Sequence, residues 1–165
     1  MNLKDKVVLV TGSGSGIGRK TSLVCAEYGA TVIALDINEE AAKLTEKMII
    51  DADGTAMAAK ADITDRVQVH TVIEDVIARF KKIDVLVNNA GSTRLGTMVD
   101  LEDSTYDFII NLNMKGPFIM STEVAKVMIP RRSGRIINIT SYCAVRGEFA
   151  NAPYCMAKAG IKMMT

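Results

Sequence analysis

"VVLVTGSGSGIG" (residues 7–18) couples an uninterrupted apolar run to a stretch in which every second residue from Gly12 to Gly18 is glycine. A short continuous apolar run, rather than an alternating one, is the pattern of a parallel strand covered on both faces. The glycines that follow let the backbone turn sharply and approach a ligand closely, and residues 17–28 then read as a helix ended by Gly29 as its C-cap. Strand, glycine turn and helix N-terminus together form a cradle for a pyrophosphate. The spacing is not G-x-G-x-x-G, because Ile17 and Arg19 stand where a third glycine would fall. The wider Gly12-x-x-x-Gly16-x-Gly18 fits. "GSGIGRKT" (14–21) approaches the phosphate loop of NTPases, but Arg19 replaces the glycine before the lysine, and a side chain there crowds the anion nest.

The same type of run recurs along the chain. "TVIAL" (31–35), "VLV" (85–87) and "RIINI" (135–139) read as strands, with "TAMAAK" (55–60) as a weaker one. Between them lie helical stretches. Residues 38–50 open with Asn38 as N-cap and two acids in the first turn. In 66–80, Val69, Val72, Ile73, Val76, Ile77 and Phe80 repeat at helical spacing, with His70 off the stripe beside Glu74 as a surface histidine. A longer stretch, about 103–129, is expected to bend at Gly116-Pro117. Strand alternating with helix predicts one α/β domain over residues 1–165, a doubly wound parallel sheet of five strands. Ligands on such sheets bind outside the carboxyl ends of the strands.

Composition narrows the function classes. The 165 residues carry a formal net charge of +1, so no basic excess points to nucleic acid or an anionic membrane. No apolar run approaches the roughly 20 residues that span a bilayer, and the N-terminal residues do not read as a signal peptide. Three cysteines without C-x-x-C spacing and a single histidine offer no metal cluster. The expectation is a cytoplasmic protein with reduced thiols and no metal.

Asp36 ends the second strand, where a carboxylate can accept hydrogen bonds from both hydroxyls of an adenosine ribose and repel a 2′-phosphate. Ser15, inside the glycine loop, brings no cation to welcome that phosphate. NAD is therefore favoured over NADP, against the plainer reading of Asp36 as a turn residue. Near the end of the sequence, Tyr154 and Lys158 stand four apart in "YCMAK", on a helix expected to begin near Pro153. At about 5 Å and an effective dielectric of about 20, an ammonium would favour the phenolate by roughly 3 kcal/mol. Such a pair can exchange a proton with a carbonyl or alcohol oxygen. Ser141, after the fifth strand, can donate a hydrogen bond to the same oxygen.

"TGSGSGIG", Asp36, "NNAG" (88–91), Asn113, Ser141 and "YCMAK" occur in the order and approximate spacing of the short-chain dehydrogenases/reductases, which the whole chain resembles. Each motif is weak alone; the set is specific. The resemblance implies an NAD-dependent oxidoreductase acting on a secondary alcohol or ketone, such as a 3-oxoacyl thioester or a sugar. It implies that Gly12, Ser15, Gly16, Ile17 and Gly18 hold the pyrophosphate, Asp36 the ribose, and Asp62 and Ile63 the adenine. Asn89, Ala90 and Gly91 would line the cofactor cleft, with Asn88 bracing the sheet. Ser141, Tyr154 and Lys158 match the catalytic serine, tyrosine and lysine, Tyr154 and Lys158 also meeting the cofactor. Asn113 in "NMKG" matches the helix asparagine that orders a water, a better fit than Asn111. The family continues past this helix with two further strands, a substrate-covering loop and much of its oligomer interface. The fifth strand is thus expected to leave an apolar sheet edge open to self-association. A chain of this extent could instead be a non-catalytic NAD-binding fragment that associates with another chain.

Overall fold

The computed structural model describes residues 2–165. Five strands form one parallel sheet: β1 (Val7–Thr11), β2 (Thr31–Asp36), β3 (Thr55–Lys60), β4 (Val85–Asn88) and β5 (Arg135–Asn138), in the order β3-β2-β1-β4-β5. The helices between them are α1 (Gly16–Glu27), α2 (Glu39–Ile50), α3 (Arg66–Phe80), α4 (Asp103–Ile110) and α5 (Gly116–Met128), and α6 (Ala152–Met164) follows β5. Strand order reverses between β1 and β4, which opens a crevice at the carboxyl ends of those two strands.

The continuous apolar runs are explained by a core on each side of the sheet. In β1, Val7 and Leu9 join one buried cluster with the α3 stripe and Val124 of α5, while Val8 and Val10 join the opposite cluster with Val32 and Ile49. Strand side chains alternate between faces, so a strand sandwiched by helices needs apolar residues at every position. All five β1 residues are buried. The expected surface position of His70 holds in part: it is half exposed and lies 3.3 Å from Glu74, but it also reaches Glu123 of α5 at 3.4 Å.

Helix boundaries follow their caps. Asn38 accepts a bond from the Ala41 amide at the start of α2, and Gly29 closes α1 with φ +90° and a bond to the Ala26 carbonyl. Just ahead of Gly116-Pro117, where a bend is expected, the helical ladder changes type. Residues Asn111–Lys115 form a π-helical turn, in which the Gly116 amide reaches back five residues to the Asn111 carbonyl. Pro117 has no N–H for the Asn113 carbonyl, and the ladder widens ahead of it.

Candidate active site

A cleft of about 740 Å³ lies at the carboxyl ends of the strands. Its floor is the loop after β1. Gly12 (φ +65°) and Gly16 (φ +49°) adopt left-handed conformations. A Cβ on Gly18 would lie 2.0 Å from the Gly12 carbonyl oxygen, so α1 can approach the loop only through glycine. Nothing lies within 4 Å of where a Gly16 side chain would stand, so it is the left-handed backbone, not crowding, that favours glycine there. Ser15, the α1 N-cap, is exposed and its hydroxyl caps no backbone amide; no acid occupies the first turn of α1. Free amides, a free hydroxyl and a helix N-terminus fit a pyrophosphate.

The loop is held from behind. Thr11 accepts bonds from the Asn89 and Ala90 amides, both at 3.0 Å, and Asn89 Nδ2 donates to the Thr11 carbonyl at 2.9 Å. Asn89 therefore ties the β4 loop to the glycine loop while it lines the cleft. Asn88 is buried and donates to Ser121 (3.0 Å) and Asn138 (2.8 Å), joining β4 to α5 and β5. Asp36 lines the cleft too; one carboxylate oxygen accepts the Gly14 amide at 2.8 Å and the other the Asn38 amide at 2.9 Å. Asp62 accepts bonds from both the amide and the hydroxyl of Thr64 at 2.8 Å, and Ile63 packs beneath against Gly116.

The cleft lining gathers all of Gly12, Ser15, Gly16, Ile17, Gly18, Asp36, Asp62, Ile63, Asn89, Ala90, Gly91, Tyr154 and Lys158. Ser141 and Asn113 are not part of the lining. Ser141 instead faces the Tyr154 phenol and accepts the Cys143 amide at 3.1 Å. Asn113 is fully buried in the π-turn, where Nδ2 donates to the carbonyls of Ser92 (2.7 Å) and Ile109 (2.9 Å). Its Oδ1 has no partner among the described residues and points at Gly91, beside the Lys158 ammonium. An orphaned acceptor in such a place is where a bound water belongs. Leu35, Ile37, Thr64 and Thr140 also line the cleft and were not singled out from the sequence. Each lies at or just beyond a strand's carboxyl end, and that position was the available signal.

The electrostatics differ from the expected pull of ammonium on phenol. Burial pushes the Tyr154 phenol above its ordinary value; the Ser141 hydroxyl pulls part of the way back, and Cys143, Cys155 and Glu148 push it up again. Lys158 is itself pushed down by burial. Its ammonium donates to the Ile139 carbonyl at 2.9 Å and lies 5.5 Å from the centre of the Tyr154 ring. The helical spacing brings the two residues together as expected, but the lysine is committed to a backbone oxygen rather than to the phenol. Desolvation sets the direction of both shifts.

Residues 6–165 match the family model for short chain dehydrogenases. The chain belongs to the short-chain dehydrogenase family. It is 40% identical to a 3-oxoacyl-[acyl-carrier-protein] reductase of Thermotoga maritima, covering all of this chain and 67% of that protein. It is 38% identical to a galactitol 2-dehydrogenase of Agrobacterium fabrum, over 98% of this chain and 62% of that one. A crystal structure of an NAD+-bound xylitol dehydrogenase superposes with a TM-score of 0.96 at 32% identity, over 100% of this chain and 64% of that one. The chain thus spans about two thirds of the length of these relatives. No described helix is long and apolar enough to cross a membrane.

Proposed function

We propose that the chain carries the NAD-binding and catalytic part of an oxidoreductase that moves a hydride between nicotinamide and a secondary alcohol or ketone, with Tyr154 as the general acid/base. The observation that carries this reading is that Tyr154 and Lys158, on α6, open onto the same cleft as the glycine loop at the other end of the chain. Bound NAD would supply the hydride acceptor and a positive charge beside the phenol. Asp36, a carboxylate at the ribose end with no cation offered by Ser15, favours NAD over NADP.

A phenol kept protonated by burial suits proton donation to the oxygen of a carbonyl being reduced. Ser141 faces that phenol and can donate to the same oxygen, which stabilises the developing charge. Lys158 orients the nicotinamide ribose, and Asn113 Oδ1 holds the water that connects the lysine to solvent. Asp62 and Ile63 bound the adenine end, and Asn89, Ala90 and Gly91 form the wall between.

Fluorescence titration of NADH and initial rates with simple ketones test the reading together: micromolar NADH binding that is lost in Gly18→Ala, with measurable ketone reduction. No NADH binding would refute it. A second reading has its own support in the exposed apolar side chains of Ile137 at the β5 edge and of Val145 and Phe149 beyond it. These suit a chain that binds NAD and associates with another copy or another protein, and NADH binding without turnover would favour it.

A further inference from the structure

Arg19, the residue that breaks the glycine spacing of the first loop, does not stand off α1 as a solvated cation. It is half-buried, and its guanidinium joins two elements: Nε donates to the Thr45 hydroxyl at 3.1 Å, and Nη2 donates to the Gly14 carbonyl. Thr45, on α2, is fully buried. While its hydroxyl accepts from Arg19, it donates to the Ser13 carbonyl at 2.8 Å, the closer of two carbonyls in reach; the other is Ala41 of its own helix at 3.2 Å. Ser13 is fully buried too, and its amide and hydroxyl both donate to the Leu35 carbonyl at 3.1 Å. The Gly14 amide donates to Asp36 Oδ2 at 2.8 Å. None of Ser13, Gly14, Arg19 and Thr45 lines the cleft, although Gly12, Ser15, Gly16 and Asp36 on either side of them do. The whole set of bonds therefore lies behind the glycine loop.

We infer that Arg19 and Thr45 are a coupled pair of positioning residues: they fix the Ser13–Gly14 segment and, through the Gly14 amide, hold Asp36 ready for an unphosphorylated ribose. The inference rests on the NAD-binding reading above, and neither residue touches the cofactor in it. Gly14 has no side chain with which to anchor itself. A Cβ there would stand 2.7 Å from Ala41 Cβ and 2.8 Å from Asp36 Oδ2, so no other residue fits. Its peptide groups are held instead, the amide by Asp36 and the carbonyl by Arg19. Asp36 already accepts one backbone amide on each oxygen, from Gly14 on Oδ2 and from Asn38 on Oδ1. Each carboxylate oxygen accepts a further bond, which leaves one site on each for a pair of ribose hydroxyls. Where those sites stand depends on where Gly14 is held. The hydroxyl of Thr45 couples the two residues, since its loss leaves both the Ser13 carbonyl and Arg19 Nε without that partner. Loosening Gly14 should harm NADH, which gains from Asp36. NADPH should suffer less, because a fixed carboxylate repels its 2′-phosphate.

Fluorescence titrations of NADH and of NADPH test the pair in the wild-type chain, Thr45→Val, Arg19→Met and the double variant, with urea denaturation to report folding. Valine keeps the shape of threonine without its hydroxyl, and methionine keeps an unbranched side chain without the donors. Each single variant should weaken NADH binding about tenfold and NADPH binding by no more than about threefold, so that the preference for NADH falls. The double variant should bind NADH within about twofold of either single one, because each substitution already breaks the same set of bonds. Thr45→Ser restores the hydroxyl and should return both affinities to within about twofold of wild type. A merely structural role predicts easier urea unfolding with the NADH preference unchanged. That result, equal losses for the two cofactors, or effects that multiply in the double variant would each overturn the pairing. If Thr45→Val does not fold, the ratio of the two affinities in Arg19→Met decides. Failure of the wild-type chain to bind NADH would remove the cofactor reading and this one with it; wild-type binding with the preference unchanged in the variants would remove this one alone.

Discussion

β1 and β5 each carry an apolar run, and the sheet treats the two in opposite ways. Every residue of β1 is buried, whereas β5 alternates exposed and half-buried, with Ile136 against the core and Ile137 48% exposed. β1 sits at the centre with a parallel neighbour on each side, and β5 pairs only with β4. An apolar run therefore reports that a strand exists, but its place in the sheet decides how much of that surface leaves water. The glycine-loop end of the cleft is built on the first kind of strand. Ser141 and Tyr154, the residues proposed to act on the substrate oxygen, follow the second kind, with a 3₁₀ turn (Tyr142–Ala144) and exposed loop residues between them. Binding and chemistry should thus separate experimentally.

The largest expected effect breaks chemistry alone. Tyr154→Phe should lower carbonyl reduction by about 10²–10⁴-fold while NADH affinity stays within about twofold, read by initial rates and fluorescence titration. Equal loss of both would show that α6 is part of the cofactor fold and not a separable catalytic element. The raised phenol adds a directional signature. Reduction uses the protonated form and should stay flat from neutrality until pH passes the ordinary tyrosine range. Oxidation uses the phenolate and should climb over the same window. A plateau in oxidation below about pH 7 would show that a positive charge overrides the burial.

The central strand should respond in stability rather than chemistry. Leu9→Ala removes a fully buried side chain between β2 and β4 and should cost about 2–5 kcal/mol, measured by urea denaturation. Between the centre and the edge stands Glu123 of α5. It is 2% exposed and bonded by Lys126 at 2.8 Å, and it also meets Arg66 and His70 of α3. The lysine contact, with the arginine and histidine behind it, outweighs burial and lowers its carboxyl from 4.5 to about 2. A depressed carboxyl stabilises the fold above the unfolded value and loses that contribution as pH falls through the folded one. Stability should therefore drop between about pH 4.5 and pH 2, by about 1–2 kcal/mol after screening of the exposed cations. Glu123→Gln should flatten that part of the profile. An unchanged acid limb would mean that the α3–α5 contact is carried by its apolar residues.

What could be read in advance divides along the same line. The glycine loop, Asp36, the α3 stripe and the five strands are local patterns, each set by periodicity or by backbone freedom within a dozen residues, and each lies where that pattern puts it. The Tyr154–Lys158 spacing likewise placed both side chains on one cleft. What spacing could not give is the partner each side chain takes once buried. Lys158 turns to the Ile139 carbonyl, and Asn89 is spent on holding Thr11 and Gly12. The widened turn at Asn111–Lys115 depends on which carbonyl Pro117 leaves unpaired, so the residue that causes the distortion lies downstream of it. The bonds that Cys143 and Asn151 make to Glu148 gave no signal either, because those residues meet only in space.

The smallest expected effect sharpens the comparison most. Ile137→Thr keeps a β-branched side chain on the edge strand, so the strand loses no conformational preference. Half of the isoleucine is already in water, and the substitution should cost under about 1 kcal/mol against the 2–5 kcal/mol of Leu9→Ala. An open apolar edge invites pairing with another chain, and a polar side chain there opposes it. Sedimentation velocity should show the wild-type chain associating as its concentration rises and the variant less so, with NADH affinity untouched. If the variant instead unfolds at much lower urea, β5 is as covered as β1 in solution, and the contrast between centre and edge does not hold.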